Sequence, residues 1–249
     1  MSLPGAEFVE RAGLKAWPGI DVEYDGQWVL RAAQGYTKRA NSVQSLDVTD
    51  EANAAERIAA SRAWFEMRGL QPVFRVTPLA GPGIVAALDD AGWKTIDASH
   101  LFAMELGSIL PDPRGEIYPI LDKTFLAVAQ RLQRYSDLQL AAMKALLSVI
   151  EVPAVGVILY SETGAPVASA LFDIADGIVI TGNVVTDAAQ RRKGYGAAMM
   201  RTGLSWAHEN GATVAALNVA ADNPVGQALY RSLGYERQYD YAYRVPAGA

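Results

Sequence analysis

The run Arg191-Arg192-Lys193-Gly194-Tyr195-Gly196 places three cationic side chains and two glycines immediately ahead of a helical pattern. Backbone N–H groups in such a loop can turn toward one point. Glycines at 194 and 196 remove Cβ atoms that would hold an anion away, and the helix that follows adds the positive end of its dipole. The chemistry this suits is phosphate binding. A Walker loop needs Lys-Ser or Lys-Thr after its second glycine, and the dinucleotide fingerprint is spaced differently, so nucleoside triphosphates and NAD are disfavoured.

The loop needs a strand before it and a helix after it. Ile178 to Thr186 reads as that strand and Gly196 to Asn210 as that helix, followed by a strand at Thr213 to Ala220, a helix at Pro224 to Leu233 stopped by Gly234, and a strand at Tyr235 to Val245. Upstream, Val155 to Ser161 and Val167 to Asp173 alternate with Thr163-Gly164 and Asp176-Gly177 turns, which predicts an antiparallel meander. Helical segments lie within Asp122 to Leu147, and Pro111 to Gly115 reads as a linker.

The first half repeats this order. Strands are expected at Gln27 to Ala33 and Ala40 to Leu46, a helix from an Asp50 N-cap to Met67, a strand at Pro72 to Thr77, a helix at Gly83 to Ala91, and one or two strands in Ile96 to Leu106. A constant offset of 142 residues superposes Asn41–Trp93 on the second half without a gap. Asn41 meets Asn183, Val43 meets Val185, Trp64 meets Trp206, Gly69 meets Gly211, Pro82 meets Pro224 and Gly92 meets Gly234. These identities fall at helix stops, a helix start and strand cores, where backbone geometry dictates the residue. A tandem duplication is the expected architecture.

Composition narrows the chemistry. The chain of 249 residues has no cysteine, which excludes disulfides, thiolate metal sites and an acyl-cysteine intermediate. Two histidines, His100 and His208, disfavour a multi-histidine metal site, so no metal is expected, and both are read as structural. A net charge of −5 argues against nucleic acid as partner. No apolar run spans a bilayer and no signal peptide is evident, so neither a membrane partner nor export is expected and the cytoplasm is the expected compartment.

Arg191, Gly194 and Gly196 resemble motif A of the GNAT N-acetyltransferases, Gln/Arg-x-x-Gly-x-Gly/Ala, and Asn223 through Glu236, with Ala228-Leu229-Tyr230 and Gly234-Tyr235, resembles motif B. The resemblance covers about residues 116 to 249. It implies an α/β (α+β) chain of two tandem GNAT folds, each a mixed, mostly antiparallel sheet flanked by helices, with acetyl-CoA as co-substrate. Val184, Val185 and Thr186 would offer backbone groups to the acetyl carbonyl and pantetheine amides. Arg191, Arg192, Lys193, Gly194, Tyr195, Gly196 and Ala197 would cradle the pyrophosphate. Asn223 would bond the pantetheine arm, and Tyr230 would protonate the departing thiolate. Many relatives carry a glutamate base on the strand before motif B, but Asn218 stands there, and an amide accepts no proton at neutral pH. Asp173, Asp187 and Glu151 are candidate replacements.

Applied to the first half, the offset sets Thr49, Ala52 and Ala54 against Arg191, Gly194 and Gly196, Gly81 against Asn223, and Leu88 against Tyr230. Residues 1–110 therefore read as a degenerate copy and residues 111–249 as the catalytic one. The stretch Trp28 to Val43 resembles a signature of two-domain bacterial GNAT proteins, and its Arg31, Tyr36, Thr37, Arg39 and Asn41 form a dense polar group that could line a pocket against the second copy or serve only turn and surface contacts. The expected reaction moves acetyl to an amine, a small molecule before a peptide or protein lysine. A non-catalytic acyl-CoA sensor or scaffold is the alternative that Asn218 keeps open. Pairing of two copies within one chain favours a monomer over a homodimer.

Overall fold

The computed structural model describes residues 3–248. Among them the helices are α1 (Ala6–Ala16), α2 (Ala54–Glu66), α3 (Pro82–Asp90), α4 (Lys123–Gln133), α5 (Asp137–Leu147), α6 (Tyr195–Glu209) and α7 (Pro224–Ser232). The strands are β1 (Asp21–Asp25), β2 (Trp28–Ala32), β3 (Ser42–Ser45), β4 (Phe74–Val76), β5 (Lys94–Glu105), β6 (Gly115–Pro119), β7 (Ala154–Tyr160), β8 (Pro166–Ala175), β9 (Ile178–Thr186), β10 (Val214–Ala220) and β11 (Glu236–Val245). Local chemistry sets several boundaries. Asp122 accepts the Thr124 and Phe125 N–H groups ahead of α4, Ser136 and Gln139 form a capping box on α5, and α3 and α7 both open on proline.

The order α1-β1-β2-β3-α2-β4-α3-β5 recurs as α5-β7-β8-β9-α6-β10-α7-β11, behind an additional β6-α4. Helices α3 and α7 start at 82 and 224, and strands β5 and β11 at 94 and 236, so the 142-residue offset persists beyond Trp93. All eleven strands join one sheet, in the order β1-β2-β3-β4-β11-β5-β10-β9-β8-β7-β6. It is antiparallel except between β3 and β4 and between β9 and β10. Strand β11 enters between β4 and β5, and β5 enters between β10 and β11. Each repeat thus completes the other's sheet.

Alternation along β5 sends Phe102 and Met104 to one face, beneath α6 and α7 with Met199, Leu204 and Tyr230. Leu101 and Ala103 go to the opposite face, against Val9, Ala12 and Ala16 of α1. Helices α2 and α3 cover β2 to β4 through Ile58, Phe65, Ile84 and Leu88. Among the described residues no helix is long and apolar enough to cross a membrane.

Three sequence expectations change. Asp50 does not cap α2: Asn53, at φ 54°, precedes the helix, while the Asp50 carboxylate accepts Gln27 N–H at 2.7 Å and pairs with Arg57 at 3.0 Å. Pro111 to Gly115 is docked, because Asp112 is buried and binds Arg114 at 2.9 Å and Arg201 at 3.3 Å, and β6 begins at Gly115. Helix α1 and strand β1 are additional elements.

Candidate active site

Strands β9 and β10 run parallel and are paired only from Ile178–Thr181 to Val214–Leu217. Beyond that point β9 continues to Thr186 and β10 to Ala220 with no ladder between them. The sheet opens along one edge of Gly182, Asn183, Val184, Val185 and Thr186. A bulge against β8, between the pairs Ser169↔Val185 and Leu171↔Gly182, turns the chain further, with Asn183 at φ 51°. An extended ligand can bond backbone groups in such an opening.

At the far end of β9 the carboxylate of Asp187 accepts Ala189 N–H at 2.9 Å and starts a single 3-10 turn, Ala188–Gln190. Arg192 and Gly194 then adopt left-handed conformations, φ 63° and 78°, and α6 starts at Tyr195 without a side-chain cap. The first-turn N–H groups of Tyr195, Gly196 and Ala197 have no intrahelical acceptor, and Arg191, Arg192 and Lys193 are exposed around them. The two glycines answer different backbone requirements. Gly194 supplies the positive φ, with no chain atom within 4 Å of an added Cβ, whereas a Cβ on Gly196 would stand 3.2 Å from Leu229 and 3.3 Å from Thr186 Oγ1. Gly196 lets α6 close on α7 and the end of β9.

Asn223 precedes α7 and its Oδ1 accepts Gly226 N–H at 2.9 Å, which leaves the amide NH₂ as its remaining donor group. Tyr230 is 7% exposed, packs edge-on to Tyr235 at 6.0 Å, and makes no hydrogen bond within the described chain. Burial pushes its phenol up to about 12, so it stays protonated at neutral pH.

On the α1 face of the opening lies a cavity of about 310 Å³ lined by Arg39, Asp97, Gly182, Asn183, Asn218 and Tyr241, among others. Both repeats contribute to it. Asn218 Oδ1 accepts from Arg75 at 3.3 Å, so its amide is oriented by an arginine. Of the five polar residues expected here, Arg31, Thr37 and Asn41 are held in local structure: Arg31 donates to Trp17 O, Thr37 accepts Trp17 Nε1–H, and Asn41 accepts the Ala33 and Gly35 N–H groups. Tyr36 accepts from Asn183 Nδ2 at 2.9 Å and so ties the first repeat to the bulge of β9. Arg39 lines the cavity, as do Lys38 and Thr37.

None of the three candidate bases lines this cavity. Asp173 is buried, without a hydrogen bond on Oδ1, and burial raises its carboxyl to about 8. Asp187 caps the 3-10 turn and Glu151 is exposed. His100 bonds Asp240 at 2.7 Å through Nδ1, and His208 lies in α6 with its Nδ1 buried and unpartnered. The sequence reading missed Glu10, Gln44 and Arg75, whose buried cluster underlies the cavity. They come from three distant segments, and no local pattern links them.

The first repeat lacks these features. Strands β3 and β4 share one parallel pair, Val43↔Phe74. Asp50 and Glu51 occupy the positions of Arg192 and Lys193 at the 142-residue offset. Glu51 accepts Gly83 N–H at 2.7 Å, and Leu88, in the place of Tyr230, is fully buried. The loop charge is reversed.

A parted parallel strand pair, a basic left-handed turn into a helix, and a mixed, mostly antiparallel sheet define a GNAT N-acetyltransferase fold. Over residues 7–244 the chain matches the family described as "Probable histone acetyltransferase Rv0428c C-terminal", and it belongs to that family. The Uncharacterized N-acetyltransferase YobR of Bacillus subtilis (strain 168) is 24% identical over 246 residues, 95% of this chain and 97% of that protein. Among solved structures, a GCN5-related N-acetyltransferase from Kribbella flavida aligns with a TM-score of 0.76 at 20% identity, covering 100% of this chain and 98% of its own. A tandem GNAT protein from the clavulanic acid biosynthesis pathway aligns at 0.67 and 13% identity, covering 98% and 88%. The chain is an acyltransferase. GNAT enzymes use acetyl-CoA, and among the described residues no group of three or more His, Asp or Glu side chains could hold a metal ion.

Proposed function

We propose that this chain binds acetyl-CoA between β9 and β10 and transfers its acetyl group directly to the amine of a small molecule in the cavity on the α1 face. The observation that carries this is the opening beyond Thr181, with a basic helix start at one end and a cavity walled by both repeats at the other. In this reading the backbone of Val184, Val185 and Thr186 bonds the acetyl and pantetheine groups, residues 191–197 hold the pyrophosphate, and Asn223 donates to the pantetheine arm. Bound there, acetyl-CoA supplies an activated acetyl group. Tyr230 holds the proton that the sulfur takes as the C–S bond breaks and the C–N bond forms. The amine proton leaves through water, which Asn218 can orient but not deprotonate.

Residues 111–249 carry this chemistry and residues 1–110 serve acceptor recognition, in a cytoplasmic monomer. Titration with acetyl-CoA is expected to saturate at one equivalent per chain, because the first repeat presents Asp50 and Glu51 where the second presents Arg192 and Lys193. A calorimetric stoichiometry of two would contradict the degenerate-copy assignment. Asn218, already engaged by Arg75, favours one rival: a binder of acyl-CoA without turnover. Release of CoA thiol across a panel of amines separates the two, since binding without release on any amine removes the transferase.

A further inference from the structure

The groups around the acceptor cavity do not balance in charge. The cavity and a smaller one beneath it, of about 20 Å³, are lined by four cationic side chains, Arg31, Lys38, Arg39 and Arg75, and by two carboxylates, Glu10 and Asp97. Glu10 is taken by Arg75, and Asp97 by Lys38 at 2.8 Å. Arg31 bonds neutral acceptors, Trp17 O at 2.8 Å and Gln44 Oε1 at 3.2 Å.

The Arg39 guanidinium has no hydrogen bond or ion pair among the described residues. It lies 4.9 Å from the centre of the Trp17 ring, and its Nη2 comes within 3.3 Å of where a Cβ on Gly182 would be, against the unpaired edge of β9. Arg39 is half-buried at the cavity wall, and its guanidinium stays protonated at neutral pH although burial lowers its pKa. The nearby carboxyl of Asp173 acts on it through space but makes no ion pair with it, and burial raises that carboxyl to about 8. A guanidinium at a cavity wall with no acceptor in the described chain has its fork free for an anionic ligand.

We propose that the acceptor carries a carboxylate, which Arg39 receives through its planar fork while the amine of the same molecule reaches the open edge of β9 at Gly182 and Asn183. The inference rests on the acetyl-transfer reading above. One unclaimed fork matches one carboxylate, and Lys38, the other cation at the mouth, is already held by Asp97. Trp17 and Gly182 flank the guanidinium and limit where it can move.

The test measures binding without turnover. The full chain saturated with CoA is titrated calorimetrically with glycine, 4-aminobutanoate and 6-aminohexanoate, with their primary amides, with aminomethylphosphonate, and with a lysine-bearing histone-tail peptide. The best amino acid is expected to bind at least about tenfold more tightly than its amide. Arg39→Gln should erase that preference and leave CoA affinity unchanged, and Arg39→Lys, which keeps the charge without the fork, should retain part of it. Thermal melts of both variants establish that they are folded. Amides binding as well as acids, a preference that survives in Arg39→Gln, tighter phosphonate than carboxylate binding, or binding of the peptide alone would overturn the proposal. Thiol release with acetyl-CoA, measured on the same compounds, keeps the two readings apart. Arg39-dependent binding without release leaves the carboxylate site standing and removes the transfer reading.

Discussion

Replacing Tyr230 with Phe is expected to lower kcat by about two orders of magnitude, the lower part of the range for a positioned general acid, and to leave acetyl-CoA affinity within about twofold. The substitution isolates the hydroxyl. The ring remains, with its edge contact to Tyr235 and its place in the core beneath α7. The lost O–H had no partner within the chain, so no other polar group is orphaned. Thiol-release kinetics give kcat, and calorimetry with CoA gives affinity. An unchanged kcat would show that the thiolate leaves without Tyr230.

Substituting Gln for Glu10 is expected to cost about 3–5 kcal/mol of stability, the scale for removing one partner of a buried ion pair. Glu10 is 5% exposed and is bonded by Arg75, by Tyr239 Oη at 2.6 Å and by Gln44 at 3.2 Å. Its loss would strand Arg75 beside Arg31, two buried guanidinium groups with no carboxylate between them. Burial drives the Glu10 carboxyl upward, but the Arg75 charge and the three hydrogen-bond donors outweigh it and hold the pKa below the ordinary 4.5. A carboxylate lowered on folding contributes stability that is present above its unfolded pKa and is lost as pH falls through the folded one. Urea denaturation between pH 7 and pH 3 should therefore show a steeper acid loss in the wild type than in Glu10→Gln. Equal midpoints at pH 7 would mean that the cluster contributes little.

What the sequence revealed depended on whether the cause was local. Gly69, Gly92, Gly211 and Gly234 terminate helices because each takes a positive φ, and the repeat was visible through them. The basic turn was visible for the same kind of reason, a backbone requirement at Gly194 joined to a charge run. Strand β1 escaped because every residue of Asp21–Asp25 is exposed at a sheet edge, which removes the alternation that marks a strand. Helix α1 was missed along with Glu10, a buried acid that interrupts its apolar face. The pairing of β5 with β11 had no local sign either, since each strand reads the same whichever neighbour it takes. Arg39 fell between these cases: its polar company was evident, but its lack of an ion pair emerges only once Glu10 and Asp97 are seen to be taken.

The interleaved centre of the sheet also sets the order in which the molecule can be finished. Strands β4 and β5 are made early, yet they lie two ladder spacings apart, roughly 10 Å, and the slot between them belongs to Glu236–Val245. Without β11 that slot, one strand wide, would leave the facing N–H and C=O groups of β4 and β5 without ladder partners. The strand that seals the first repeat is β11, which follows α7 of the second, so assembly of the first repeat waits on that strand.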